Sequence, residues 1–333
     1  MLTAPDDLDP ADLHALLERN WGLRAPRLEF LPVGFGAYHW RAVDGSGAEL
    51  FVTADDLEAG FQVGPDADAA FAALERAYRT AAWLRDEAAL DFVLAPEPDA
   101  EGAVIRRVGV RYALTVRPLV AGGTGRYGRY EQADERRLVA GVVGRLHAAT
   151  ARVPRELPRR DDLSIPARAA LVEALAGLDR TWTAGPFGEP ARQALRRKAA
   201  GVERLLREYD ELVDAVRASG EPWVLTHGEP HRANVIVAPG GRIHLIDWDT
   251  TLIAPRERDL RMVLDDDLTG WDEYVTAAGP TTLNREALEL YRRWWDLADI
   301  AIFARVCYRP HERTEQTAAD LETLERQLAA VPD

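Results

Sequence analysis

The segment at residues 223–260 constrains the fold more than any other part of the chain. It reads WVLTHGEPHRANVIVAPGGRIHLIDWDTTLIAPRERDL, in which two polar turns alternate with short apolar runs typical of strands. The first turn carries His227, Glu229 and Asn234, and the second carries Asp247. A short hairpin separates the two turns, which makes them neighbours. The sequence therefore predicts a site where a carboxylate, an amide and a second carboxylate meet.

This set of side chains suits phosphoryl transfer. One carboxylate can orient or deprotonate a hydroxyl group, and amide and carboxylate oxygens are ligands that magnesium accepts. An isolated Asn or Asp in a turn more often has a structural role, but this loop-Asn-strand-strand-Asp spacing is hard to obtain by chance. We therefore predict Asn234 and Asp247 as metal ligands. His227 and His231 do not indicate zinc, because Pro230 disfavours a helix between them.

The composition is that of an ordinary globular protein. The chain has 333 residues, of which 47% are hydrophobic and 29% are charged. It shows no apolar run of membrane-spanning length and no signal-peptide pattern, so we expect a cytoplasmic protein without a membrane partner. The net charge of −14 argues against a nucleic-acid partner and is compatible with a cationic substrate. Cys307 is the only cysteine, which excludes an internal disulfide.

The order of elements indicates an α+β chain, with strands and one long helix first and mostly helices from Tyr130 onward. The predicted strands lie at 27–33, 38–43, 49–53, 92–94, 103–106 and 111–116. The predicted helices lie at 10–20, 68–87, 131–149, 166–178, 190–219, 283–308 and 314–328.

With this order and these motifs, the chain resembles the aminoglycoside phosphotransferase family, which shares the protein-kinase-like fold. The motifs are Ile246-Asp247-Trp248-Asp249 and the run LIAPRERDL at residues 252–260. The resemblance covers nearly the whole length. It implies a bilobal fold, with a small antiparallel-sheet lobe at residues 1–117, a hinge at 118–123 and a mostly helical lobe at 124–333.

The resemblance also assigns roles in the catalytic segment. Glu229 stands where the family usually has the Asp that contacts the substrate hydroxyl, and its extra methylene changes the reach by about 1.5 Å. Asn234 and Asp247 would hold Mg²⁺ and so act in catalysis. His227 would be structural, and Asp259 would brace the catalytic loop by accepting backbone hydrogen bonds.

The nucleotide side carries one departure from the kinase-like pattern. Gly34 and Gly36 match the loop that covers the phosphates, where glycine lets backbone N–H groups approach oxygen atoms. Thr53, however, stands where kinase-like folds place a lysine that contacts the α- and β-phosphates. Losing such a contact costs roughly 1.5–3 kcal/mol. Adenine is expected to contact the backbone near Arg117 and Leu119.

Sequence alone does not choose a replacement for that lysine. Three arginines are candidates, namely Arg76, Arg106 and Arg107. A substrate site is predicted to include Asp266, Trp295 and Asp299, because acid and tryptophan together suit a cationic, sugar-like ligand.

The resemblance implies an O-phosphotransferase that uses ATP (or GTP) and Mg²⁺. Its substrate would be a small hydroxylated molecule, preferably an antibiotic of the aminocyclitol, aminoglycoside or nucleoside type. The alternative is a pseudokinase-like sensor of a nucleotide or ligand. Thr53 and Glu229 favour the sensor, whereas Asn234, Asp247 and Asp259 favour the enzyme.

Overall fold

The computed structural model describes residues 3–34, 36–58, 64, 66–128 and 130–332. Phe35, in the predicted glycine loop, lies outside the described residues. The chain divides into two units, one formed by Met1–Arg160 with Trp223–Thr281 and the other by Asp161–Pro222 with Thr282–Asp333. The first unit contains the main sheet and both polar turns of the catalytic segment, so the candidate site can be described within it.

Helices and short strands follow one another along the described chain. The helices are α1 (Pro10–Trp21), α2 (Ala67–Asp86), α3 (Ala133–Ala148), α4 (Arg168–Ala176), α5 (Gly188–Ala218), α6 (Glu257–Val263), α7 (Trp271–Ala278), α8 (Arg285–Tyr308) and α9 (Glu315–Ala330). The strands are β1 (Arg27–Leu31), β2 (Ala37–Val43), β3 (Glu49–Asp56), β4 (Arg106–Val108), β5 (Tyr112–Pro118), β6 (Arg159–Arg160), β7 (Val224–Thr226), β8 (Val235–Val237), β9 (Ile243–Leu245) and β10 (Leu252–Ala254).

The main sheet has an apolar face and a polar face. Its strands are antiparallel in the order β1-β2-β3-β5-β4. Since alternate residues of a strand point to opposite faces, Trp40, Val52 and Val116 share one face and join the apolar cluster that includes Leu13 and Leu17 of α1. The other face carries polar side chains, including the register His39↔Thr53↔Thr115. This polar face forms one wall of the candidate site.

The second unit is a helical assembly. In it, α8 packs against α4, α5 and α9. An antiparallel sheet followed by a mostly helical region confirms the predicted α+β class. Over the part of the chain that the structure describes, no helix has both the length and the apolar character required to cross a bilayer.

Two predicted strands differ from the structure. Residues 92–94 do not form a strand, because Val93 makes only an isolated bridge to Leu245. The run predicted at 103–106 begins as a strand only at Arg106, since the Asp99 carboxylate accepts the N–H groups of Glu101 and Ala103 and holds a turn there. The short helices α6 and α7 were not predicted, because two helical turns hardly reveal a period of 3.6 residues.

Candidate active site

A buried carboxylate, Asp259, holds the start of the catalytic loop. It lies in the first turn of α6, and its two oxygens accept the backbone N–H groups of His227 at 2.9 Å and Gly228 at 2.6 Å. His147 Nε2 donates to the same carboxylate at 3.0 Å, and the Tyr274 hydroxyl lies 2.8 Å from His147 Nδ1. Burial raises the pKa of Asp259, but the hydrogen bond with His147 and the neighbouring positive charges together lower it by more. Asp259 is thus a charged brace.

His227 connects the first polar turn to the second. Its Nε2 donates to the carbonyl of Ile246 at 2.8 Å, and its Nδ1 accepts the N–H of Glu229 at 3.2 Å. Burial lowers the pKa of His227 to about 4, so its ring is neutral at physiological pH. A neutral imidazole that donates on one side and accepts on the other suits a structural role.

Gly228 sits where a side chain does not fit. Its φ is +102°, and a Cβ there would lie 2.3 Å from Nη1 of Arg258. Arg258 is itself held by a 3.0 Å hydrogen bond to the Thr226 hydroxyl. The close approach of this backbone to a fixed guanidinium therefore requires glycine.

We expect Gly228→Ala to lower the free energy of unfolding by about 1–3 kcal/mol, through the left-handed φ and the clash together. Gly240→Ala is the matched control, because Gly240 also has a positive φ of +86° but nothing within 4 Å of its added Cβ. Urea unfolding of both variants measures the difference. If Gly228→Ala and Gly240→Ala lower the free energy of unfolding equally, the close contact with Arg258 does not contribute to the effect.

Glu229 lies at the end of the first turn and is half-buried. Its Oε2 is 3.5 Å from Nε2 of His231. Burial raises the pKa of the Glu229 carboxyl, but the hydrogen bond and charge of His231, together with the charge of Arg258, lower it by more. Glu229 is therefore ionised at neutral pH and can accept a hydrogen bond from a hydroxyl group.

Asn234 and Asp247 come together as the hairpin β8–β9 requires. The Asn234 amide Nδ2 donates to the carbonyl of Glu229 at 3.1 Å, and the Asn234 side chain also donates a hydrogen bond to the Asp247 carboxylate. The backbone N–H of Ile246 donates to the Asn234 carbonyl at 3.0 Å, which fixes the second turn against the first. Asp247 has a φ of +69°, a backbone conformation uncommon outside glycine and tolerated by Asp and Asn.

Acidic groups accumulate around Asp247. Asp247 itself is exposed, but partial desolvation of its carboxyl by the surrounding groups raises its pKa, and the charge of Glu229 adds to the rise. Burial and then the charge of Asp247 raise the pKa of Asp249 well above its ordinary value. Burial also raises the pKa of Asp55, on β3, to about 7, against the opposing charge of Arg117. Glu229, Asp55 and Asp249 thus make the surroundings of Asp247 electronegative, which favours a cation near it.

The polar face of the sheet lies beside these carboxylates. Arg117 Nη1 donates to the Thr53 hydroxyl at 3.3 Å, and the Thr53 hydroxyl is 3.2 Å from His39 Nδ1. Burial lowers the pKa of His39 to about 3, with a further contribution from Arg117. His39 reaches the predicted phosphate loop, since a Cβ on Gly34 would lie 2.7 Å from its Nε2. Gly34 and Gly36 have φ values of +74° and +82°.

The three arginines considered as lysine substitutes bind elsewhere. Arg76 donates to the carbonyls of Leu157 and Pro158, at 3.2 and 3.0 Å. Arg106 pairs with Asp99 and Glu101, and Arg107 pairs with Asp68. The guanidinium that contacts Thr53 is instead that of Arg117.

The predicted adenine contact has one constraint. The backbone N–H of Leu119 donates to the carbonyl of Glu49 at 3.1 Å and so continues the β3–β5 pairing past β5. An adenine contact in this segment would therefore use other backbone groups, such as the Leu119 carbonyl.

The predicted substrate residues lie in different units. Asp266 is exposed in the first unit. Trp295 and Asp299 lie on α8 in the second, where the Asp299 carboxylate accepts a 2.6 Å hydrogen bond from Gln327 of α9. Trp295 packs beside Trp294, with ring centroids 6.2 Å apart. The three residues remain a prediction as a substrate set.

Sequence reasoning missed several residues of this site. Arg117 was predicted only through its backbone, and Asp55, His147 and Tyr274 were given no role. Strand periodicity was a usable signal for Asp55 and Arg117, because both fall on the same polar face of the paired strands as Thr53. No comparable signal exists for His147, since it reaches Asp259 across a long stretch of chain.

The fold and site together define a protein-kinase-like phosphotransferase. A model of the phosphotransferase enzyme family matches residues 28–303. The chain belongs to this family.

Individual relatives agree with this assignment. The chain is 29% identical to Protein StrN of Streptomyces griseus over 318 residues, which cover 91% of this chain and 86% of StrN. Its fold is similar to spectinomycin phosphotransferase, solved with ADP and spectinomycin, with a TM-score of 0.73 and 15% identity over 98% of this chain and 99% of that one. Amicoumacin kinase, solved with AMP-PNP and Ca²⁺, has a TM-score of 0.59 and 14% identity over 96% and 93% of the chains.

Proposed function

We propose that this phosphotransferase transfers the γ-phosphoryl group of ATP to a hydroxyl of a small molecule and uses Mg²⁺ to do so. The observation that carries the proposal is the meeting of Glu229, Asn234 and Asp247 on two adjacent turns beside the polar face of the sheet. Similar folds solved with ADP or AMP-PNP support a nucleotide as the phosphoryl donor. We also propose that residues 118–123 form the hinge between a nucleotide-binding lobe at residues 1–117 and a catalytic lobe at residues 124–333.

The residues present fit a magnesium ion. Among the described residues, no group of three or more His, Cys, Asp or Glu side chains forms a metal site of its own. A site that shares its metal with phosphate oxygens needs fewer protein ligands, and Asn234 with Asp247 offers the oxygen donors that Mg²⁺ accepts. The nearby charge of Glu229 adds to the negative potential at Asp247 and so favours a cation there. Bound Mg²⁺ would neutralise negative charge on the phosphates.

Glu229 would act on the acceptor. Its lowered pKa keeps it ionised, so it accepts a hydrogen bond from the substrate hydroxyl and directs that oxygen toward the phosphoryl group. The same low pKa makes it a weak base, which favours orientation over early removal of the proton. Asp259 and His227 hold the loop that carries Glu229 and would preserve this geometry.

The proposed substrate is a small hydroxylated antibiotic, of the aminocyclitol, aminoglycoside or nucleoside type. The similarity in fold to enzymes whose names specify spectinomycin and amicoumacin supports an antibiotic substrate. Asp266, Trp295 and Asp299 are the proposed substrate residues. A cationic substrate would suit the net charge of −14.

A sensor without catalysis is the second candidate, favoured by the threonine at position 53 and the glutamate at position 229. Thermal stabilisation by ATP, ADP and GTP, each with and without magnesium, is the first test. Phosphate transfer to a panel of aminocyclitol, aminoglycoside and nucleoside antibiotics is the second. Magnesium-dependent stabilisation followed by transfer supports the enzyme, and stabilisation without any transfer supports the sensor.

We expect Glu229→Gln to lower kcat by about a hundredfold or more, as removal of a hydroxyl-orienting group does. Nucleotide affinity should hardly change, because the side chain acts on the acceptor. Glu131→Gln, at an exposed position, is the control. If Glu229→Gln keeps the wild-type kcat, the Glu229 carboxylate has no role in the reaction.

A further inference from the structure

The guanidinium of Arg117 is a buried cation, and only one of its three nitrogens has a hydrogen-bond partner among the described residues. Arg117 is 6% exposed, and its Nη1 donates to Thr53. Its Nε and Nη2 groups have no hydrogen-bond partner within the residues that the structure describes. These two nitrogens form one edge of the guanidinium plane, the edge that binds two oxygens of an anion side by side. Buried charged donors without partners are costly, so this edge fits an acceptor that comes from a ligand.

The position of this edge indicates which ligand it fits. Through Thr53, Arg117 is linked to His39 and from there to the loop at Gly34. The charge of Arg117 also acts on Asp247, the proposed metal ligand. Arg117 thus lies close to the predicted phosphate loop and within electrostatic range of the proposed metal ligand.

The neighbourhood also fixes the guanidinium in place. The Tyr78 ring of α2 lies 5.4 Å from the Arg117 carbon Cζ, a cation–π contact. The Tyr78 hydroxyl donates to Asp55 at 3.1 Å, and Asp55 lies on the same face of β3 as Thr53. An arginine held in this way is preorganised for binding, and it keeps its charge when buried, unlike a lysine.

We propose that Arg117 binds the α- or β-phosphate of the nucleotide through its Nε and Nη2 groups, and that it supplies from β5 the positive charge that Thr53 cannot supply from β3. Thr53 then serves as the hydroxyl that positions the guanidinium. This assignment rests on the proposed nucleotide-dependent transfer. It explains how the site tolerates a threonine at that position of β3.

Binding of ADP and of adenosine to Arg117→Met tests the assignment, because the two ligands differ only in the phosphates. In the wild type, ADP should bind far more tightly than adenosine. In Arg117→Met, we expect ADP to bind about ten- to a hundredfold more weakly, the range for a lost charge-assisted contact, with adenosine binding unchanged. Arg107→Met, on the neighbouring strand β4 and paired with Asp68, is the control and should bind both ligands as the wild type does.

Two further variants distinguish a lost phosphate contact from a general disturbance of the fold. Arg117→Lys keeps the positive charge but loses the paired Nε and Nη2 donors that bind two oxygens at once. Its ADP affinity should therefore lie between those of the wild type and Arg117→Met. Thr53→Lys combined with Arg117→Met moves the charge to β3 and should recover part of the ADP affinity. Recovery in the double variant is not expected if Arg117 serves only to stabilise the sheet.

The outcomes separate this assignment from the proposed function. Wild-type ADP affinity in Arg117→Met, or an equal loss of ADP and adenosine binding, would overturn the phosphate contact and leave the phosphotransferase proposal intact. A wild-type protein that binds neither ligand and transfers no phosphate would overturn both.

Discussion

Asp247→Asn is expected to lower phosphate transfer by about a thousandfold or more while leaving the fold unchanged. A metal ion that neutralises the phosphates contributes several kcal/mol to the transition state, and each 1.36 kcal/mol is a factor of about ten in rate. Asparagine is the suitable replacement, because the φ of +69° at this position suits Asn and would strain Ala. Turnover of the preferred antibiotic, measured under saturating nucleotide, reports the loss.

A second readout separates a lost metal ligand from a damaged fold. In Asp247→Asn, the magnesium-dependent part of ADP stabilisation in a thermal unfolding assay should disappear, whereas the unfolding temperature without ligand should stay close to that of the wild type. Asp272→Asn, an exposed site in the first turn of α7, is the control and should change neither quantity. Transfer within tenfold of the wild type in Asp247→Asn would contradict the proposed metal role.

Asp259→Asn should produce the largest loss of stability, about 3–5 kcal/mol of unfolding free energy. The buried carboxylate accepts two backbone N–H groups and the Nε2–H of His147, and an amide of the same shape turns one acceptor into a donor. Removing one member of a buried charged network costs this much, because the remaining groups stay buried and unpaired. Urea unfolding at neutral pH measures the difference.

The control for this variant is Asp210→Asn, which breaks an exposed ion pair with Arg168 at 2.6 Å and should cost less than about 1 kcal/mol. The pH dependence gives a second check. Because the pKa of Asp259 is lowered in the folded protein, its contribution is fully present above the unfolded value of 3.8 and is lost as the pH falls below it. The gap between wild type and Asp259→Asn should therefore narrow under acidic conditions. A gap that is small at neutral pH would contradict the bracing role.

The catalytic segment could be predicted because its information is local. Glu229, Asn234 and Asp247 lie in turns joined by one hairpin, so their spacing in sequence nearly determines their spacing in the structure. The fold class followed from the order of strands and long helices for the same reason. The helices α6 and α7 were not predicted because they are short, and four of the seven residues of α6, ERDLRMV, are charged.

The role of Arg117 could not be predicted in the same way. Its guanidinium meets Thr53 only because β3 pairs with β5 in one register, and that pairing joins residues far apart in the chain. The sequence instead directed attention to Arg76, Arg106 and Arg107, whose partners are likewise set by tertiary contacts. The brace by His147 and Tyr274 depends on the packing of α3 against α7, which no local pattern contains.

Transfer of phosphate from ATP to a small-molecule hydroxyl tests the central claim most directly. The wild-type protein would be incubated with ATP, magnesium and each member of the antibiotic panel, and the products examined by mass spectrometry for the gain of one phosphoryl group. We predict a phosphorylated product for at least one hydroxylated antibiotic, dependent on magnesium and absent with Asp247→Asn. Magnesium-dependent nucleotide binding without any phosphorylated product would contradict the claim and leave the sensor as the better account.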